Sequence, residues 1–518
     1  MLYPAWLKNA VIYEIYPQSY NDTNGDGIGD LRGIIEKLDY IQDCGFTAIW
    51  LNPVNPSSFR DAGYDVTDYY NVDPRYGTLQ DYKDLCDALH ARNMKIIFDI
   101  VPGHTSIDHP WFIQSGKVEK NEYTNRYIWT VSAFDEGEGI AGLGERDAKC
   151  IYNFFWNQPA LNYGYAHPDP NKPWELPVDH PDCVAMKMEL IKILDFWMDL
   201  GTDGFRVDMA ESLIKGDTDG SAQRRFWHEI RAHMEQKNPD SLLIAEWGSP
   251  RDAVQAGFHL DFLLQFKNNA YTSLFRYEKG RNQLSSMIGH SYFHLDGQGN
   301  INDFLDRYLV DLEKTKDAGV IGLVTGNHDM QRLAYGRTPD EIKVAMVFLF
   351  TMPGVPFVYY GDEIGMDYIP GLPSKEGGYI RTGSRTPMQW KPGKNHGFSS
   401  SDTPYLPTDT RPGAPTVAEQ KNDENSLLSL VKKLTALHKE DRRLWTDAAF
   451  KVLYPGYPFI FERSADNRRL LVAVNPSRNT HVCKIPAISN IYLSKDVSVE
   501  GTQLTMGSTS YIVAEISE

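Results

Sequence analysis

The sequence predicts an α/β protein: a parallel (β/α)8 (TIM) barrel with an inserted subdomain after the third strand and a C-terminal antiparallel β-sandwich domain. Apolar, strand-like runs alternate with amphipathic, helix-like runs from the start of the chain to about residue 440. The alternation stops for roughly eighty residues after the third strand, and short alternating strands replace it after residue 445. We therefore assign 1–102 and 177–444 to the barrel, 103–176 to the subdomain and 445–518 to the sandwich.

The first four strand–helix units follow from hydrophobic periodicity. Runs of β-branched and aromatic residues predict strands, and apolar residues spaced three and four positions apart predict amphipathic helices. The predicted strands are Val11–Tyr16, Ala48–Asn52, Lys95–Val101 and Gly204–Met209, and the predicted helices are Leu31–Asp43, Leu79–Arg92, Cys183–Leu200 and Ala222–Gln236.

The second half of the barrel follows the same pattern. Its predicted strands are Leu242–Trp247, Phe262–Phe266, Ile321–Gly326 and Pro356–Tyr360, and its predicted helices are Ile301–Lys314, Glu341–Met352 and Ser426–His438. Eight strands in such an alternation are typical of a closed parallel barrel, whose functional face lies at the carboxyl ends of the strands.

Two regions depart from the barrel pattern. The insertion is rich in Pro, Gly, Asn and aromatic residues, and a structureless connection of that length is unusual, so we expect a small domain over the barrel mouth. The C-terminal strands are predicted at Phe450–Leu453, Phe459–Glu462, Leu470–Asn475, Thr480–Ile485 and Tyr511–Ile516.

Composition excludes several classes of function. A net charge of −17 over 518 residues disfavours binding to nucleic acid or to anionic membranes through a basic surface. The sequence has neither a transmembrane-length apolar run nor the features of a secretory signal at its start. Five scattered cysteines without CxxC spacing indicate free thiols in a reducing compartment. We therefore expect a cytoplasmic monomer or homodimer without nucleic-acid or membrane partners.

Polar residues of related chemistry follow several predicted strands. Arg206 and Asp208 are two positions apart and so lie on one face of their strand. Alone, this pair would indicate a solvated ion pair. Similar groups follow three other strands, namely Asp99 and His104, Glu246, and Asn327-His328-Asp329. Such carboxylates suit glycoside cleavage, in which one attacks the anomeric carbon and another protonates the leaving oxygen. The aromatic content of 12% mildly favours the same ligand class, because aromatic rings stack on sugars.

In order, these segments resemble the four motifs of the α-amylase family of retaining glycoside hydrolases. They are Asp99-Ile-Val-Pro-Gly-His104, Gly204-Phe-Arg-Val-Asp208, Ala245-Glu246 and Asn327-His328-Asp329. The resemblance covers essentially the whole chain. It implies that Asp208 is the nucleophile, Glu246 the general acid/base and Asp329 the transition-state stabiliser. It also implies that the glycone subsite is lined by His104, Arg206 and His328 over Tyr64 as aromatic platform, with Asp99 as a brace.

Finer features resemble the oligo-1,6-glucosidase-like branch of the family. Gln158-Pro-Ala-Leu-Asn162 and Arg385-Thr-Pro-Met-Gln-Trp390 are similar to two of its signatures. By the same resemblance, Asp61 binds the 4-hydroxyl of the terminal sugar, with Arg385 as its expected partner. An ordinary ion pair is the alternative for these two residues.

Three residues depart from the family pattern. Gly103 replaces the asparagine that usually precedes the first-motif histidine, which argues against the inter-domain calcium site of many amylases. Ala160 replaces the acidic residue of the branch signature. Met209 is neither the valine typical of α-1,6-acting members nor the alanine or threonine typical of α-1,4-acting ones, so the linkage stays open.

A separate loop places oxygen-bearing residues at alternate positions with glycines between them: Asp22, Asn24, Asp26, Ile28 and Asp30. Carboxylate, amide and carbonyl oxygens suit a hard cation, and the loop resembles the first part of a calcium loop. We expect structural Ca²⁺, or else Mg²⁺, and no organic cofactor. A polar, Gly-rich turn is the alternative.

Together these features predict a retaining, exo-acting α-glucosidase that hydrolyses short α-gluco-oligosaccharides or disaccharides. The resemblance places the carboxyls of Asp208 and Glu246 about 5–5.5 Å apart. We expect a raised pKa for Glu246 and an Asp208 kept ionised by Arg206. The alternatives are a trehalose synthase-like or sucrose phosphorylase-like enzyme, and a non-catalytic relative similar to transporter heavy chains.

Overall fold

Eight parallel strands close into a barrel, as the sequence predicted. The computed structural model describes residues 3–264, 270–277 and 289–517. Strands pair in chain order, and the last strand closes on the first through Ile12 and Phe357. The barrel strands are β1 Ile12–Ile15, β2 Ala48–Leu51, β3 Lys95–Ile100, β4 Gly204–Val207, β5 Leu242–Ala245, β6 Leu260–Leu263, β7 Val320–Val324 and β8 Val355–Tyr359. The strand predicted at Phe262–Phe266 begins earlier than expected, and residues 265 and 266 lie outside the described part of the chain.

Helices lie outside the barrel strands, and one of the helices, Pro110–Ser115, belongs to the insertion. They are α1 Leu31–Glu36, α2 Leu38–Asp43, α3 Leu79–His90, α4 Pro110–Ser115, α5 Pro181–Asp199, α6 Ser221–Lys237, α7 Pro250–Gln255, α8 Thr272–Phe275, α9 Asn302–Thr315, α10 Pro339–Thr351, α11 Val417–Gln420 and α12 Leu427–Glu440. Short 3-10 helices are Ala5–Asn9, Pro17–Ser19, Asp362–Ile364, Tyr379–Ser384, Lys394–Gly397 and Arg442–Leu444. Reciprocal capping boxes begin α3 at Thr78 and α10 at Thr338, because each side chain satisfies backbone N–H groups that the first turn leaves free.

One predicted helix is two. The pattern predicted a continuous helix over Leu31–Asp43, but Lys37 has φ −102° and ψ 3°, outside helical values, and separates α1 from α2. The break coincides with a cation–π contact in which the Lys37 ammonium lies 4.6 Å from the ring centroid of Trp390. The spacing of apolar residues continues across such a break, so periodicity alone does not reveal the break.

The insertion between β3 and α5 contains little regular structure. It carries α4 and one antiparallel pair of short strands, Ile140–Ala141 and Lys149–Cys150. His104 forms an isolated bridge with Ala160, so the insertion returns to the end of β3. The insertion therefore contributes residues directly at the carboxyl face of the barrel.

The C-terminal region is antiparallel, as predicted. Its strands are β9 Ala449–Pro455, β10 Phe459–Ala465, β11 Arg468–Asn475, β12 His481–Lys484, β13 Ile488–Glu500 and β14 Gln503–Ile516. They form one hydrogen-bonded sheet, and β13 and β14 bend at register shifts. Both faces bury apolar side chains: Phe461 and Val472 join the main core, and Ile460 and Leu471 join a second cluster. One face thus packs on the barrel, against α10.

Two further findings concern the chain as a whole. All five cysteines are free thiols, and four of them are buried. Among the described residues, no helix combines the length and the apolar character needed to cross a membrane.

Candidate active site

The predicted site residues converge at the carboxyl end of the barrel. Arg206 lies in β4 and Asp208 follows it directly, while Glu246 is the first residue after β5. Asp99 is in β3, and Asp329 follows β7. Because all barrel strands are parallel, these ends meet around a single opening.

Arg206 is the centre of this cluster. Its Nη1 donates to Asp99 Oδ1 at 2.8 Å and to Asp208 Oδ1 at 3.0 Å, and its Nη2 lies 2.9 Å from Glu246 Oε2. The guanidinium and Asp99 are buried. One delocalised cation thus holds three carboxylates that would otherwise repel one another.

The charge balance at Asp208 differs from the expectation. Burial and the neighbouring charge of Glu246 raise the pKa of Asp208, and they outweigh Arg206, which acts in the opposite direction. The expected effect of Arg206 is present, but it is shared with Asp99 and Glu246. A neighbouring carboxylate disfavours ionisation of a buried carboxyl, so the contact with Arg206 does not keep the pKa of Asp208 low.

A strained backbone joins the two carboxyls. The N–H of Met209 donates to Glu246 Oε2 at 3.0 Å, and Met209 has φ 44°, in the left-handed region. A non-glycine residue in this conformation is costly by about 1 kcal/mol. Met209 follows Asp208 directly in the chain. Its backbone N–H therefore orients the side chain of Glu246.

An ion-pair network closes the other side of the site. Arg381 Nη1 lies 2.7 Å from Asp329 Oδ1, and its Nη2 lies 3.1 Å from Asp61 Oδ1. Arg385 Nη2 also pairs with Asp329, at 3.0 Å, and its Nε donates to the carbonyl of His328. The expected partnership of Arg385 with Asp61 is indirect: Arg381, about one turn earlier in a 3-10 helix, forms the ion pair with Asp61, and Arg385 acts on Asp61 through its charge.

The two carboxyls of this network have opposite pKa shifts. Burial would raise the pKa of Asp329, but His328 and the two arginines hold it well below the usual range. Burial raises the pKa of Asp61, and this effect outweighs the attraction of Arg381. Gln158 Nε2, from the insertion, donates to Asp61 Oδ2 at 2.8 Å, so each Asp61 oxygen has its own partner.

The two predicted histidines are buried and neutral. Burial lowers the pKa of His104 and of His328 to about 3. His328 Nδ1 lies 2.8 Å from Glu14 Oε1, and its Nε2 lies 3.3 Å from Asp329 Oδ2. Neutral imidazoles can donate hydrogen bonds to a sugar without adding a competing acid.

Tyr64 is buried beside His328. Its ring stacks on His328, with 5.2 Å between centroids and 10° between planes. Its hydroxyl donates to Asp99 Oδ2 at 2.9 Å, and its carbonyl lies 3.1 Å from His104 Nε2. Tyr64 is therefore held through its hydroxyl and through its backbone carbonyl, and its role as an aromatic platform stays a prediction.

Comparison with known proteins identifies the family. A family model described as "Alpha amylase, catalytic domain" matches residues 14–447, which is most of the chain. The chain belongs to the α-amylase family.

The relatives of this α-amylase-family chain have several activities. It is 30% identical to an oligo-1,6-glucosidase of Parageobacillus thermoglucosidasius, over 95% of this chain and 94% of that one. It is 29% identical to a trehalose synthase/amylase of Mycobacterium tuberculosis, over 84% of this chain and 75% of that one. The crystal structure of a trehalulose synthase from Pseudomonas mesoacidophila superposes with a TM-score of 0.82 at 23% identity, covering 99% of both chains, which supports the fold alone.

Sequence reasoning missed several residues of this α-amylase-family site. Glu14 is a buried acid in the middle of β1, a visible but unused signal. Arg381 precedes the predicted Arg385 by four positions. Asp261, in β6, accepts the N–H groups of Trp247 and Ser249 at 2.9 and 2.8 Å and so anchors the loop after Glu246. Burial raises the pKa of Asp261 to about 7.

The loop predicted to bind calcium precedes α1. Asp22 accepts the N–H groups of Gly25 and Gly27 at 2.7 and 2.8 Å. Asp30 is the N-cap of α1 and accepts the Gly33 N–H at 2.7 Å. These bonds give the loop a compact conformation through its own carboxylates.

Two other side-chain oxygens of that loop accept hydrogen bonds from backbone N–H groups of the loop itself. Asn24 Oδ1 accepts the Asp26 N–H and Asp26 Oδ1 accepts the Ile28 N–H, both at 2.8 Å. Within the described residues, no cluster of three or more Asp, Glu, His or Cys side chains is arranged to hold a metal. The oxygen-only donor set fits a hard cation chemically, and calcium binding here stays a prediction.

Proposed function

We propose that this α-amylase-family chain is a retaining, exo-acting α-glucosidase that releases glucose from the non-reducing end of short α-gluco-oligosaccharides or disaccharides. The observation that carries the proposal is the position of Asp208 and Glu246 on two nitrogens of one buried guanidinium, that of Arg206. Carboxyls held in this way are near neighbours. Retaining glycosidases need a short separation, about 5–5.5 Å, because the nucleophile attacks the sugar directly without an intervening water.

The proposed reaction is a double displacement. Asp208 attacks the anomeric carbon, and Glu246 donates a proton to the leaving oxygen. Glu246, now ionised, takes a proton from water, whose oxygen attacks the same carbon and releases the sugar from Asp208. Two inversions at one carbon give net retention.

Other residues would bind the glycone. Asp329 is ionised at any working pH, so it would accept hydrogen bonds from sugar hydroxyls and stabilise positive charge on the ring. His328 would donate a hydrogen bond, and Tyr64 would pack against the apolar face of the ring. Both ring nitrogens of His104 contact protein atoms, so His104 would line the subsite without donating to the sugar.

The exo preference rests on the closed end of the site. Asp61 is held by Gln158 and Arg381, and we propose that this charged, hydrogen-bonded group closes the site beyond the first sugar. We propose that this pair binds the terminal 4-hydroxyl. The linkage preference stays open, because Met209 is atypical of both groups of relatives.

A second candidate activity uses the same covalent intermediate. The relation to a trehalose synthase/amylase favours a transferase or isomerase, in which the acceptor is a sugar instead of water. Phosphate as acceptor would give a phosphorylase.

Product analysis separates these activities. The enzyme is incubated with maltose, with and without phosphate, and then with isomaltose, trehalose, sucrose, kojibiose and nigerose. A glucosidase gives glucose as the main product in both buffers. Trehalose or another isomer as the main product would replace the proposal with an isomerase, and glucose 1-phosphate would replace it with a phosphorylase.

A further inference from the structure

The side chain that Gly103 lacks leaves a space at the end of β3, and a residue of the insertion fills it. A Cβ at position 103 would lie 2.7 Å from Asn153 Nδ2 and 3.0 Å from Ser212 Oγ. The φ of Gly103 is not in the left-handed region, so its backbone would accept a side chain. Glycine is therefore needed at 103 for space and not for conformation, because Asn153 occupies that space.

Lys215 determines which way the Asn153 amide points. Lys215 Nζ lies 2.8 Å from Asn153 Oδ1 and also donates to the carbonyl of Ser212 at 2.7 Å. An ammonium has only donors, so the amide oxygen faces Lys215. The amide nitrogen then faces Ser212 Oγ at 2.9 Å and His104 Nδ1 at 3.2 Å.

These contacts define the protonation of the His104 ring. Its Nε2 lies 3.1 Å from the carbonyl of Tyr64, which can only accept, so Nε2 carries the hydrogen. Its Nδ1 must then be the acceptor for the Asn153 amide. Because burial lowers the pKa of His104 to about 3, the ring is neutral at working pH and has a single favoured tautomer.

We propose that Asn153 is a positioning residue for His104: its amide, oriented by Lys215, holds the His104 ring as the Nε2–H tautomer and fills the space left by Gly103. The inference deepens the proposed function and rests on it, since His104 is predicted to line the glycone subsite. It explains why this chain can lack a side chain before the first-motif histidine. The insertion supplies a polar group, the amide of Asn153, which contacts His104 at Nδ1.

A double-mutant cycle tests the shared space. Gly103→Ala alone should lower kcat/KM by about tenfold, because the new Cβ displaces Asn153 and with it the support of His104. Asn153→Ala alone should cause a similar loss. In the Asn153→Ala background, Gly103→Ala should cost less than about twofold, since the collision is gone. Equal costs of Gly103→Ala in both backgrounds, with all variants folded by circular dichroism, would overturn the proposal.

Nitrogen-15 NMR of labelled histidine tests the tautomer directly, with the His104 signals assigned from a His104→Gln variant. The wild type should show protonated Nε2 and unprotonated Nδ1 at pH 7. Asn153→Asp keeps the oxygen for Lys215 but places a carboxylate at Nδ1, so Nδ1 should become protonated. An unchanged spectrum in Asn153→Asp, or a protonated Nδ1 in the wild type, would contradict the inference.

Asn171→Ala is the matched control, because Asn171 is an exposed asparagine of the same insertion. It should change neither kinetics nor the His104 spectrum. The NMR result does not depend on turnover. A protein without glucosidase activity would therefore disprove the proposed function while leaving this inference open to its own test.

Discussion

Arg206 determines how charge is distributed among the residues that would carry out the reaction. It contacts Asp99, Asp208 and Glu246, and none of these three contacts exceeds 3.0 Å. A single cation cannot fully neutralise three buried carboxylates, so the pKa of Asp208 rises despite the contact. An acid-catalysed first step requires a proton on one of the two reacting carboxyls, and Glu246 is proposed to carry it.

Glu246→Gln tests the assignment of that proton. Gln keeps the shape but cannot protonate a leaving oxygen, so turnover of maltose should fall by about a thousandfold or more. Glycosylation by α-glucosyl fluoride, whose leaving group needs no proton, should be largely kept. Pre-steady-state rates with both substrates provide the measurement, and equal losses on the two would argue against an acid role.

Asp61→Ala tests the closed end of the pocket. Losing a charged hydrogen bond to the terminal 4-hydroxyl should raise KM for maltose about tenfold or more, and the preference for release of glucose from maltotriose should weaken. Asp108→Ala is the control, because Asp108 pairs with Arg60 near the surface. If Asp61→Ala leaves both KM and the order of products unchanged, Asp61 does not bind the terminal sugar.

The extent to which the sequence predicts the site varies from residue to residue. Asp208, Glu246 and Asp329 each follow a recognisable apolar strand, and their convergence follows from the barrel itself. Arg381 could not be assigned to Asp61 in this way, because 320 positions separate them and a 3-10 helix places them together. Asn153 lies in an irregular segment without periodicity, so only the folded chain shows that it reaches His104.

At the scale of elements, periodicity predicts strands that are buried on both faces and misses an edge strand. All eight barrel strands were predicted to within a few residues, since most of their residues are apolar or aromatic. The strand β13 was missed, because its side chains alternate between half-buried and exposed and include Ser494, Lys495 and Asp496. Hydrogen-bonded pairing with β14 makes this segment a strand, and the local sequence pattern does not show that pairing.

The loop before α1 provides an element-scale prediction. If it binds calcium, chelation should lower Tm, because a ligand at a hundredfold excess over Kd stabilises the folded state by about 2.7 kcal/mol. Asp26→Ala should have the same lowered Tm and no response to added calcium. Activity of the surviving folded enzyme should keep its pH profile. Identical melting curves with chelator and with millimolar calcium would leave the loop a polar turn.

A second element-scale prediction concerns Glu363. This residue lies in the 3-10 helix that follows β8 and connects that helix to β1 and α2. Its Oε1 accepts the hydroxyls of Tyr13 and Tyr40 at 2.7 and 2.8 Å, and burial raises its pKa to about 7 from 4.5. A raised folded pKa means that the folded state binds more protons than the unfolded state between these values. The contribution of Glu363 to stability is therefore complete below pH 4.5 and lost as pH rises through 7.

Glu363→Gln mimics the protonated acid and should remove this dependence. Relative to the wild type, its Tm should be similar at pH 5 and higher at pH 8. Tm measured across this range checks the sign. A variant whose Tm difference from the wild type is constant with pH would show that Glu363 does not titrate in this window.

At the scale of the whole molecule, the insertion and the barrel build one site together. Gln158 and Asn153 from the insertion contact Asp61 and His104 at the barrel mouth. The C-terminal sheet packs on α10, on the outer side of the barrel. We therefore expect changes in the insertion to alter kinetics, and changes in the sheet to alter stability.

The most direct test of the central claim is the anomeric form of the glucose first released from maltose, followed by proton NMR in wild type and in Asp208→Asn. A double displacement at Asp208 predicts that α-glucose appears first and that Asp208→Asn, with an unchanged circular dichroism spectrum, loses nearly all turnover. First release of β-glucose, or activity of Asp208→Asn within about tenfold of the wild type, would contradict it.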